Sequence, residues 1–69
     1  MAHTLDATRA AVALASLATY LRAVKLAGAV EVLDEDLGYC LGITLERLSP
    51  EALQLVPPKM DGLTVRVLL

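Results

Sequence analysis

From Ala10 to Leu21 the chain runs for twelve residues without a charge. A membrane-spanning helix needs about 17–25 apolar residues, and Arg22 and Lys25 end this run early. The run also resembles the apolar core of a signal peptide, but the residues before it, "MAHTLDATR", carry Asp6 as well as Arg9. That mixture argues against a leader sequence. The segment therefore belongs inside a folded domain.

Residues 4–27, "TLDATRAAVALASLATYLRAVKLA", read as one helix. Ala and Leu dominate it, and both are strong helix formers. Thr4 fits an N-cap, and Asp6 in the first turn suits the positive end of the helix dipole. Lys25 in the last turn and Gly28 just beyond supply a stop signal. At about 100° per residue, Leu14, Leu17, Leu21 and Val24 share one face. Leu5, Val12, Ser16, Thr19, Ala23 and Leu26 fall on nearly the opposite face. A helix on the outside of a monomer has one apolar stripe and one polar face. This helix has two uncharged faces, and the second is rich in small residues that permit close helix approach. Either a single core covers both faces, or a partner covers the second. About forty residues remain to do the covering, too few to favour the first arrangement.

The size of the chain sharpens the point. Sixty-nine residues make a single small domain, 1–69. Chains below about 70–80 residues gain only about 3–5 kcal/mol from one core and need a staple. One cysteine cannot form an internal disulfide. Cys40 and His3 alone cannot build a Cys/His zinc site. Oligomerisation is the staple that remains. At 57% hydrophobic residues the sequence exceeds the usual apolar share of about 45–50%, so some apolar surface must meet a partner.

After Gly28 the period changes from helical to alternating. "AVEVL", 29–33, and "GYCLGITLERL", 38–48, alternate as strands do. The second puts Tyr39, Leu41, Ile43 and Leu45 on one side and Cys40, Gly42, Thr44 and Glu46 on the other. A short acidic loop between them suggests a β-hairpin with its tip in water and Gly38 at positive φ. The competing reading continues the helix from Thr4 to about Glu35. Val30, Val32 and the intervening glycine favour the hairpin. "LSPEALQLV", 48–56, is a short helix with Ser49 as N-cap and Pro50 at the first position. "PP" at 57–58 ends it. "KMDG", 59–62, reads as a turn and "LTVRVLL", 63–69, as a strand. The expected fold is α+β, in the order α-β-β-α-β. One long N-terminal helix packs on a small, mainly antiparallel three-stranded sheet, with a short second helix.

The side-chain chemistry excludes more than it supports. With no Phe or Trp and two Tyr, the chain lacks stacking platforms for bases. Net charge is −2 and the six basic residues are scattered, which argues against nucleic-acid binding. "LERLSPEAL" lacks the basic recognition helix of a helix-turn-helix. Counted from Asp34, an EF-hand loop fails at Gly38, Tyr39 and Leu45, leaving only a casual divalent-ion contact at Asp34 and Asp36 as an alternative to a solvated turn. Glu31 and Glu46 could meet across the hairpin, but in register they would repel. The only histidine, His3, stands at the chain start and the bases nearest to Cys40 in sequence are Arg47 and Lys59, so a buried structural role is expected for the thiol. No cofactor, metal or membrane span is expected, and a lone free cysteine fits a reducing cytoplasm.

Two classes of function follow. The first is a non-enzymatic, homo-oligomeric interaction domain using Leu5, Val12, Ser16, Thr19, Ala23 and Leu26 as the subunit contact. A heteromeric protein partner on the same face would have the same chemistry. The second is a small enzyme, or a regulatory subunit of one, with a pocket formed between subunits around Tyr39, Cys40 and Arg47.

Overall fold

The computed structural model describes residues 2–35 and 38–69, with side chains from residue 7 onward. Helix α1 spans Ala2–Ala23 and is followed by strands β1, Gly28–Glu35, and β2, Gly38–Leu45. Helix α2, Pro50–Leu55, leads to β3, Lys59–Met60, and β4, Leu63–Val67. The α+β class and the long helix match expectation. The sheet has four strands rather than three, in the order β1-β2-β4-β3.

Helix α1 lays Ala10, Ala13, Leu17 and Leu21 on the sheet, against Leu41, Ile43 and Leu45 of β2 and Leu63 and Val65 of β4. Leu17 and Leu21 of the expected seam are buried, whereas Leu14 and Val24 are half-buried. The buried line is rotated toward the two alanines, whose small side chains let the helix approach the sheet closely. Leu17, Leu41 and Ile43 are the largest fully buried side chains, each contributing about 1.5–3 kcal/mol by leaving water.

The helix boundaries differ from expectation. Thr4 lies inside α1, not at its N-cap, and α1 ends at Ala23, before Gly28. The stop is a Schellman motif. Leu26 N–H donates to Leu21 C=O at 2.9 Å and Lys25 N–H donates to Arg22 C=O at 3.2 Å. Lys25 carries the left-handed conformation this requires, at φ 60°. Leu26 then turns back and packs against the core.

Residues 28–35 are a strand, so the hairpin reading holds. Strands β1 and β2 pair antiparallel without a bulge, from Gly28 opposite Leu45 to Glu35 opposite Gly38. Asp34 and Glu35 belong to β1 rather than to the loop. Gly38 has φ 126°, the positive value expected of it. Glu31 sits opposite Gly42, so it does not face Glu46. The N–H of Glu46 instead donates to Ala27 C=O at 3.1 Å.

Helix α2 starts as its sequence signals. The Ser49 hydroxyl accepts from Ala52 N–H at 3.1 Å, and Pro50 stands at the first helical position. At the far end, the Tyr20 hydroxyl donates to Leu55 C=O at 2.6 Å and ties α2 to α1. The α2 segment carries the chain across to place β4 parallel to β2, with Leu41, Gly42 and Ile43 beside Val65, Arg66 and Val67. The sheet is therefore mixed. The expected turn at 59–62 is confined to Asp61 and Gly62, both at positive φ, as a tight hairpin needs. Lys59 and Met60 pair with Thr64 and Leu63 as an added edge strand.

Candidate functional site

Two surfaces are left when α1 has covered one side of the sheet. The first is the outward side of α1. Val12, Thr19 and Ala23 are exposed and Ser16 is half-buried. They lie where the helical period puts them, turned away from Ala13, Leu17 and Leu21. Val12 is 56% exposed. Val12, Ala15, Ser16 and Thr19 line a shallow groove of about 460 Å³. Ala11 and Ala15 are exposed too, so the outward strip stays uncharged until Arg22. A solvated helix face ordinarily carries charges.

The six residues expected to make this surface divide. Val12, Ser16, Thr19 and Ala23 share the outward face. Leu26 lies beyond the end of α1, half-buried against the chain's own core. The side chain of Leu5 is outside the described residues. Ala15 joins the groove, although alanine carries no chemical signal that would have singled it out.

The second surface is the helix-free side of the sheet. Strand alternation puts Leu33 and Glu35 of β1, Cys40 and Gly42 of β2, and Arg66 and Leu68 of the last segment on this side. The side chains of Leu33 and Leu68 occupy the space beside Gly42 that a Cβ would enter. Glu35 and Arg66 form an ion pair, each side chain about half exposed. Cys40 is buried at 6% exposure. Burial, and secondarily the adjacent Glu35, push its thiol above the usual range, while Arg66 pulls the other way. The thiol is protonated at neutral pH and is a poor nucleophile.

Tyr39, Cys40 and Arg47 are not brought together within one chain. Tyr39 and Cys40 are consecutive in β2 and point to opposite sides of the sheet. Tyr39 packs against the helix-side core. Arg47 is exposed beyond the other end of β2.

Among the described residues no group of three or more His, Cys, Asp or Glu is placed to hold a metal ion. Asp34 is exposed at the end of β1, and Asp36 lies outside the described residues. No helix among the described residues is long and apolar enough to cross a membrane. Compared with known proteins, the chain matches no family model, no curated protein and no solved structure.

Proposed function

We propose that this chain is a non-enzymatic, self-associating interaction domain whose subunit contact is the outward face of α1. The observation that carries the reading is the uncharged strip of Val12, Ala15, Ser16 and Thr19 lying opposite the core. Small side chains let two such helices approach to packing distance, where dispersion contacts are gained along their length.

The surface of the isolated chain supports the same reading. A folded monomer of 7.3 kDa is expected to expose about 4,200 Å², whereas this chain exposes 4956 Å². The surplus is roughly 800 Å², the area one partner buries in a standard protein interface. The 40 Å long axis against extents of 22 and 15 Å reflects the same elongated form.

Sedimentation velocity at micromolar concentration tests the proposal. The expected result is an oligomer, and a folded monomer refutes it. Thr19→Arg places a charge in the centre of the contact and is expected to lower the measured mass to that of one chain or to unfold the protein. If the Thr19→Arg variant keeps its oligomeric mass and its stability, the contact lies elsewhere and this interface is refuted. A second substitution, Glu51→Lys on the exposed side of α2, is expected to leave the mass unchanged.

A further inference from the structure

The free side of β1 is an unpaired sheet edge, distinct from the two surfaces described above. Among the described residues β1 pairs only with β2, and it forms one edge of the sheet. Just before β1, Ala27 C=O accepts a bond from Glu46 N–H across the hairpin. Antiparallel pairs alternate between bonded and non-bonded, so Ala29, Glu31, Leu33 and Glu35 bond inward to β2. The N–H and C=O groups of Gly28, Val30, Val32 and Asp34 then face away from the sheet.

Natural edge strands are blunted by charged side chains, Pro, a bulge, shortness or a covering element. Strand β1 uses only the first of these: it runs for eight residues, without Pro, in unbroken register, and carries Glu31, Asp34 and Glu35. The opposite edge, β3, is only two residues long. A cavity of about 320 Å³ lies between the C-terminal part of α1 and the start of β1. Ala18, Leu21, Leu26 and Val30 give it apolar walls, and Arg22 and Glu46 line it as well, with one charge of each sign. Side chains of an added strand that pointed to the helix side would enter it.

The charge on the strand selects among occupants. Glu31, Asp34 and Glu35 make β1 purely acidic, and only Glu35 has an ion-pair partner among the described residues. A second copy of β1 would add three more acids to the junction, and like charges on neighbouring strands repel.

We propose that β1 takes up an extended peptide segment of another protein as a fifth strand. Its alternate residues are aliphatic, entering the cavity beside α1, and basic, meeting Glu31 on the helix-free side. Main-chain bonds to Val30, Val32 and Asp34 supply the affinity, and the alternating side chains supply the selection.

The test uses two capped synthetic peptides as long as β1, one alternating Lys and Val, the other alternating Glu and Val. Amide exchange and chemical shifts of the labelled protein are followed during titration. The Lys–Val peptide is expected to slow exchange at Val30 and Val32, and to leave the inward-bonded Glu31 and Leu33 amides much less affected. It is expected to bind at least about tenfold more tightly than the Glu–Val peptide, a difference of about 1.4 kcal/mol. Glu31→Lys is expected to reverse that order. Val32→Pro removes an outward N–H on an edge strand, where proline is tolerated, and is expected to abolish binding. Equal affinity for the two peptides, unchanged exchange at Val30 and Val32, or undiminished binding by a folded Val32→Pro variant overturns the proposal. Pairing of β1 with a second copy in peptide-free protein overturns it as well.

Discussion

At Cys40, side chains from three strands meet on the helix-free side of the sheet: the thiol, Glu35 from β1 and Arg66 from β4. The folded chain holds the thiol proton more tightly than the unfolded chain, whose value lies near 9.0. The resulting stability is complete below that value and is lost as pH rises through it toward the higher folded value. Denaturant melts taken between about pH 8 and pH 11 are expected to show a steeper loss for the native chain than for Cys40→Ala. Parallel pH profiles would remove the thiol from the account. The burial of Cys40 was legible in the sequence, because an unpartnered cysteine in an alternating strand is ordinarily a small hydrophobe. Its two charged neighbours were not. Arg66 is distant in the chain and reaches Cys40 only through the pairing of β2 with β4.

Among the elements, the start of α2 and the alternation of β2 could be read from residue types with a direct physical meaning. Ser49 and Pro50 are a cap and a pre-formed first turn, and the structure uses both so. The end of α1 could not be read this way. Its left-handed residue is Lys25 at φ 60°, and nothing in lysine signals that conformation. Gly28, which did carry the signal, is used otherwise: a Cβ there would stand 2.6 Å from the Thr44 carbonyl oxygen. Glycine admits the close approach of β2 at the start of β1. The two positions are therefore separable by substitution. Lys25→Gly relieves a conformation that costs an L-residue about 1–2 kcal/mol, less the greater freedom that glycine gives the unfolded chain. A net gain of about 0.5–1 kcal/mol is expected in denaturant melts, and a loss would contradict the Schellman geometry. The parallel pairing of β2 with β4 was equally hidden, since a strand's own residues do not name its neighbour.

For the molecule as a whole, the wheel of α1 made most of the candidate surface legible, because helical period alone fixes which residues oppose the core. It misplaced Leu26 by extending the helix past Ala23. If self-association contributes to stability, the melting temperature must depend on concentration. For a dimer of this size a tenfold rise in concentration is expected to raise it by roughly 5 °C. A melting temperature independent of concentration would mean that the surplus surface of the chain is not covered by its own kind.

Tyr20 and Tyr39 are the only aromatic residues in the chain apart from His3. They stand on different structural units: Tyr20 on α1, bonded to the last carbonyl of α2, and Tyr39 at the start of β2 beside Asp34. The protein thus carries two built-in optical reporters with no tryptophan to mask them. Tyrosine emission in a Tyr39→Phe background reads the docking of α2 on α1, and in a Tyr20→Phe background the closing of the hairpin. Coincidence of the two signals during unfolding measures how far the two halves of this small chain behave as one cooperative unit.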